Sequence, residues 1–207
     1  MRQISVRLLA LCGLLIFATS AIAETSFVRL QLARGTSLEL PKNWTALSSN
    51  QKITLATAVE SQFAATAASE LSFAANYYDD ANTVAALVNV RYYPTMDIKQ
   101  SEVRRATAAD VREFDQTLRA ELEPGMKRLG LAVLKWNGTE ARTINGTFAF
   151  VTSYDRQRQG DTDVFHVRLV RVLNGSNSFT LTVSYRDRGG VLYRPITDRI
   201  ISSLKAG

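Results

Sequence analysis

The chain predicts an α+β domain: an antiparallel sheet flanked by helices on both faces, an α/β/α sandwich. Three observations predict it. Residues 147–156, 164–173 and 178–186 read as three long strands in a row. Asn145-Gly146 precedes the first, Gln159-Gly160-Asp161 separates the first two, and Asn174-Gly175-Ser176-Asn177 separates the last two. Asn-Gly between alternating segments is a strong hairpin signal, because both residues tolerate the positive φ of a type I′ turn. Two other segments step their apolar residues by three and four, as amphipathic helices do, and such stripes must be buried on a neighbouring layer. The remaining strands are joined by short turns, which favours antiparallel pairing.

Residues 1–23 read as a secretory signal peptide. Arg2 and Arg7 supply a basic start, residues 8–19 are almost wholly apolar, and Ala21-Ile22-Ala23 is an A-x-A cleavage site. Cleavage is expected between Ala23 and Glu24, with a retained anchor as the alternative, although the apolar run is short for a membrane span. Lipidation does not fit, since Cys12 lies inside the apolar run behind Leu11, where a lipidated cysteine would end it behind a small residue. Residues 24–207 are then one domain of 184 residues, long enough for a substantial core. The signal holds two of the 25 basic residues and none of the 19 acidic ones, which leaves a net charge of +4. Both signs are interspersed, so the chain lacks the clustered basic face of a nucleic-acid binder. Cleavage also removes the single cysteine, so no disulfide forms. Export and the absence of disulfides together point to a bacterial periplasmic protein.

Taken in order, residues 26–32 alternate, residues 33–35 turn, and residues 36–40 return as a strand that Pro41 stops. Trp44 is expected on the sheet rim. Ser48-Ser49-Asn50 can cap a helix over residues 51–68, where Leu55, Val59 and Phe63 keep helical spacing; Ile53, Leu55, Thr57 and Val59 also alternate like a strand, and the frequent alanines favour the helix. Residues 70–77 and 83–93 pair around Asp79-Asp80-Ala81-Asn82, and Pro94 ends the pair. Residues 101–123 make the longest helix, with Val103, Thr107, Val111, Phe114, Leu118 and Leu122 on one stripe. Pro124-Gly125 breaks or kinks it, the spacing resumes for a turn, and Gly130 ends it. Residues 131–136 and 139–144 form a hairpin through Asn137-Gly138. Residues 191–205 close the chain as a helix with Pro195 in its first turn and Tyr193, Ile196, Ile200 and Leu204 on one stripe.

Two stretches carry a resemblance. Ser37-Leu38-Glu39-Leu40-Pro41-Lys42-Asn43-Trp44 resembles the short strand ending in Leu-Pro-x-x-Trp near the start of Mog1/PsbP-like domains. Phe179-Thr180-Leu181-Thr182-Val183-Ser184-Tyr185, followed by a helix ending Ile200-Ile201-Ser202-Ser203-Leu204, resembles their last strand and helix. The element order is similar across the mature chain. The resemblance implies a non-catalytic accessory or binding module, of the kind that serves photosystem assembly or binds a small GTPase. No functional residue transfers position by position, and export argues against a cytosolic GTPase partner.

Reactive chemistry is sparse. His166 is the only histidine and lies mid-strand; Ser153 or Ser184 could formally complete a nucleophilic triad with it, but no G-x-S-x-G elbow is present. A structural or surface histidine is the plainer reading. No metal site is expected: Asp79-Asp80 and Asp161-x-Asp163 do not continue into a calcium loop. The glycines sit singly in turns, without a Walker or dinucleotide fingerprint, so no cofactor is expected. The Asn-x-Thr sequons at Asn43, Asn137 and Asn145 matter only in a glycosylating host. One constellation could bind: Arg91, Tyr92, Tyr93, Arg168, Arg186, Arg188, Tyr193 and Arg194 fall at or near strand ends, where arginine forks and tyrosines can hold a carboxylate, a phosphate or an acidic partner. Arginine and tyrosine also rim sheets for structural reasons. The expected function is therefore that of a non-catalytic periplasmic protein recognising another envelope protein, for example an immunity or stress-linked factor. The alternatives are an envelope hydrolase using His166 and a small-ligand carrier.

Overall fold

The computed structural model describes residues 25–52, 70–93 and 98–207. The expected signal segment with its cleavage point between Ala23 and Glu24, and the expected helix beyond residue 52, lie outside the described residues. Four strands open the fold's two sheets: β1 (Phe27–Gln31), β2 (Ser37–Pro41), β3 (Thr45–Ala46) and β4 (Glu70–Tyr78). Then come β5 (Val84–Tyr92), α1 (Gln100–Val103), α2 (Ala108–Arg128), β6 (Leu131–Ile144), β7 (Thr147–Arg158), β8 (Val164–Val172), β9 (Phe179–Arg186) and α3 (Gly190–Ser202). β1 and β2 pair by themselves. The other strands form one antiparallel sheet in the order β3-β4-β5-β9-β8-β7-β6. The meander read from sequence is β7-β8-β9, and its last strand inserts beside β5 at the middle of the sheet.

Alternation along β9 sorts the sheet into two faces. Phe179, Leu181, Val183 and Tyr185 are buried on one face, where α3 and the β1–β2 hairpin cover them. Thr180, Thr182, Ser184 and Arg186 point to the other, which carries α1 and α2 over its β6–β7 side. The stripe follows the predicted spacing, with Tyr193 and Ile200 buried on α3, Ile196 partly buried, and Leu204 buried just past the end of the helix, which stops at Ser202 and not at residue 205. The second face has its own small core of Val103, Phe150 and Leu173, against which Phe114 and Phe148 pack.

Local chemistry explains where the elements begin and end. Asn145 and Gly146 both take positive φ, 46° and 82°, in the β6–β7 turn. The Asn145 amide also donates to the Ser202 and Leu204 carbonyls, 2.6 and 2.9 Å away, satisfying orphan acceptors at the C-terminus of α3. Ser48 caps the helical residues 49–52 reciprocally with Gln51, as expected. Asp115 accepts from Trp136 Nε1 (2.9 Å) and Thr139 Oγ1 (2.7 Å), fastening α2 to β6. Trp136 stacks on Tyr154, whose phenol burial pushes up to about 12.

Several expectations are corrected. The hairpin at Asn137-Gly138 does not form. β6 runs unbroken, and the two residues sit in a bulge where Gly138 takes φ 91°. The reason is the length of β7, which offers partners along the whole of β6, so a bulge keeps the ladder where a turn would lose half of it. A second irregularity lies between Val133 and Lys135. Both fall on an edge strand, where irregular pairing discourages association with other chains. The long helix expected from residue 101 is divided. α1 ends at Val103, and α2 restarts where Thr107 and Asp110 form a reciprocal capping box. Pro124 does not end α2, which continues to Arg128 before Gly130 at φ 68°. Pro195 is the sixth residue of α3, one turn later than expected. Trp44 is buried in the core, 6.5 Å from the Tyr77 ring, and β3 follows it without having been anticipated.

Candidate functional site

On the α3 face the sheet is only partly covered. Beside α3, the end of β6 and the strand β8 leave an open groove of about 660 Å³, with Arg142, Arg168, Asp198 and Arg199 along it and Ile144 and Ile201 buried at its base. Each arginine is held by an acid. Arg142 pairs with Glu140 at 2.7 Å and Arg199 with Glu39 at 3.0 Å. Arg168 pairs with Asp198 and donates to Thr197 Oγ1 at 2.7 Å. The guanidinium of Arg199 also lies 4.0 Å from the Phe27 ring centroid, which ties β1 to α3.

One rung along, β8 carries His166 on the same face as Arg168. Its register partner on β7 is Asp155, and Asp187 follows β9. Nδ1 of His166 is 2.7 Å from Asp155 Oδ1 and Nε2 is 2.7 Å from Asp187 Oδ1. The Tyr185 ring lies 5.1 Å away, and its hydroxyl accepts from Arg194 Nε at 3.3 Å. Neutral imidazole has one N–H and can serve one carboxylate, whereas the protonated ring serves both. Burial works to lower the His166 pKa, but Asp187 and Asp155 outweigh it and hold it above the ordinary imidazole value. The two carboxylates approach opposite sides of the ring and so do not converge on a shared point. Among the described residues no cluster of three acids, histidines or cysteines is arranged to hold a metal ion.

A raised folded-state pKa stabilises the protein below the unfolded value and loses that effect as pH rises through the folded value. The melting-temperature gap between the wild type and His166→Gln should therefore be wider at about pH 5.5 than at about pH 8.5. Thermal melts across that range check this, and a gap independent of pH would remove the imidazolium bridge. Asp187 is 68% exposed, so solvent screening keeps the effect modest.

The eight residues singled out from sequence do not form one site. Tyr92 lies in the core, 1% exposed, against Phe179, with its hydroxyl donating to the Ala33 carbonyl at 2.6 Å. Tyr193 is likewise core, 5.6 Å from Tyr77. Arg91 and Tyr93 lie near one end of the sheet; the Tyr93 hydroxyl is 3.0 Å from Thr180 Oγ1. At the other end Arg186 bonds Asp79, Thr83 and the Val84 carbonyl, and lies 3.1 Å from Asp163. Arg188 pairs with the same Asp163. Only Arg168 and Arg194 border the α3 groove and its His166 extension. Sequence reading missed Arg142, Asp155, Asp187, Asp198 and Arg199, because only the strand register and the docking of α3 bring them together.

No family model matches the chain, and no curated protein does. Among solved structures it is similar to the cyanobacterial PsbP protein CyanoP of Synechocystis sp. PCC 6803, with 15% identity over 93% of this chain and 99% of that one and a TM-score of 0.56. LpqN of Mycobacterium tuberculosis, a protein involved in cell envelope biogenesis, gives 13% identity over 87% of this chain and 90% of its own, with a TM-score of 0.46. The Ran-binding protein Mog1p of Saccharomyces cerevisiae gives 8% identity over 87% and 95%, with a TM-score of 0.45. At such identities the likeness to CyanoP establishes the fold alone, and that fold is Mog1/PsbP-like.

Proposed function

We propose that this Mog1/PsbP-like chain is a non-catalytic binding or accessory protein of the periplasm that recognises another envelope protein, in the manner of an immunity or stress-linked factor. The α3 groove carries this reading. It is open, buried isoleucines form its base, and three arginines against one aspartate line it. An apolar floor with a charged rim is how protein interfaces divide affinity from specificity. Each lining arginine is paired with an acid of this chain, so the rim carries both signs and suits a partner with a mixed-charge rim around an apolar side chain. His166 supports the non-catalytic half, since both ring nitrogens already face carboxylates and neither is aimed at a hydroxyl nucleophile. A carrier of small apolar molecules would favour an enclosed pocket over an open charged groove.

The test uses the mature protein as bait for cross-linked capture from envelope extract. The wild type should retain a discrete partner, and the double variant Arg142→Glu, Ser202→Tyr, which reverses one charge and fills the groove, should lose about tenfold or more of it. Undiminished capture by the double variant would exclude the groove. Turnover of an esterase or glycosidase substrate that disappears in His166→Gln would favour the hydrolase instead.

A further inference from the structure

The opposite sheet face carries an arginine whose charge is matched by no acid among the described residues. Around the α3 groove and at the β4–β5 end, the arginines have acids: Arg29 and Arg199 share Glu39, Arg168 has Asp198, and Arg186 has Asp79 and Asp163. Arg171 on β8 has no carboxylate among the described residues. Its guanidinium lies 5.5 Å from the ring centroids of both Tyr93 and Phe114, and its Nε makes a long 3.4 Å bond to Thr180 Oγ1. No protein acceptor among the described residues meets either of its terminal nitrogens.

The strand register completes the arrangement. Thr180 on β9 is the partner of Arg91 on β5 and of Arg171 on β8, so two arginines flank one hydroxyl on the same face. The Tyr93 hydroxyl joins Thr180 at 3.0 Å. Thr180 itself is buried, while Arg171, Arg91 and Tyr93 remain partly open to solvent. Two aromatic rings fix the plane of a fork whose outer N–H groups meet no acceptor among the described residues, so little side-chain freedom is lost when an anion arrives. Such a fork matches the paired oxygens of a carboxylate or phosphate, and adjacent hydroxyls can supply further donors.

We propose that Arg171, held between Tyr93 and Phe114 and flanked by Thr180 and Arg91, forms an oxyanion site that takes a carboxylate or phosphate group. It lies across the sheet from the α3 groove and does not depend on that groove's role.

Titration of the mature protein with inorganic phosphate and, separately, with succinate at constant ionic strength tests the site. The readout is the ¹⁵N-labelled Arg171 Nε–Hε signal. A saturable shift with phosphate alone assigns the site to phosphorylated ligands, with succinate alone to carboxylates, and with both to oxyanions generally. Arg171→Lys should weaken binding about tenfold, because an ammonium lacks the fork. Arg171→Gln should abolish it, as read from backbone amide signals of Thr180 and Tyr93. Absence of a saturable shift with either anion, or equal binding by Arg171→Gln, overturns the proposal. Partner capture through the α3 groove should be unchanged in Arg171→Gln, so failure of one reading leaves the other standing.

Discussion

Replacing Arg186 by alanine is expected to lower the unfolding free energy by about 2–4 kcal/mol. Its side chain is only 11% exposed, and it closes one end of the sheet. One terminal nitrogen bonds Asp79 Oδ2 at 2.9 Å, and the other bonds Thr83 Oγ1 and the Val84 carbonyl, both at 3.0 Å. Nε lies 3.1 Å from Asp163 Oδ2, and the guanidinium stands 5.7 Å from the Phe165 ring centroid. The β4–β5 turn, the start of β8 and the end of β9 therefore meet on one planar cation. Its removal leaves Asp163, at 17% exposure, with only the exposed Arg188. Leaving such an acid uncompensated costs more than the pair contributed, which places the effect above that of a surface ion pair. Arg186→Lys should recover only part of it, since an ammonium cannot span three acceptor directions. Urea unfolding monitored by circular dichroism measures the change, and a loss below about 1 kcal/mol would reduce the cluster to surface decoration. Any binding defect of an Arg186 variant must be read after this structural loss.

Phe179→Ala should cost about 3–5 kcal/mol, the range for deleting a fully buried aromatic ring. Phe179 is wholly buried, begins the central strand, and lies 5.7 Å from the Tyr92 ring. A cavity there is framed by strands on both sides, because β9 pairs with both β5 and β8, so the surroundings have little room to collapse. The loss is a large share of the about 5–15 kcal/mol that holds an ordinary domain together. Tyr92→Phe separates packing from hydrogen bonding: it keeps the ring and deletes the hydroxyl with its bond to Ala33, so it should cost about 1 kcal/mol. Comparable losses in the two variants would show that the hydroxyl, and not the ring stack, carries this corner. A cost below about 1.5 kcal/mol for Phe179→Ala would mean that the site refills.

The errors made from sequence share a cause with the successes. Asn145-Gly146 and Asn137-Gly138 are the same dipeptide, yet the first turns and the second bulges. What separates them is whether a partner strand continues alongside, and no local window contains that information. Thr107 and Asp110 were visible as a capping box, but the unbroken apolar stripe from Val103 to Leu122 hid it. Tyr92 and Tyr93 are adjacent, so a strand must send them to opposite faces: one into the core and one toward Arg171. Alternation alone was enough to separate them, and grouping them by residue type overlooked it.

The periodicities by themselves determined that this chain alternates into β5 and β7–β9, that α3 buries one stripe, and that the sheet carries helices on both faces. Those are properties of runs of neighbouring residues, and burial of apolar surface enforces them wherever the run is placed. Tertiary structure alone decided that β9 inserts between β5 and β8, that His166 bridges two acids, and that Arg171 is pinned with no acid against it among the described residues. Each of these joins groups distant along the chain, and their proximity arises from strand register and helix docking, which depend on the whole core closing at once.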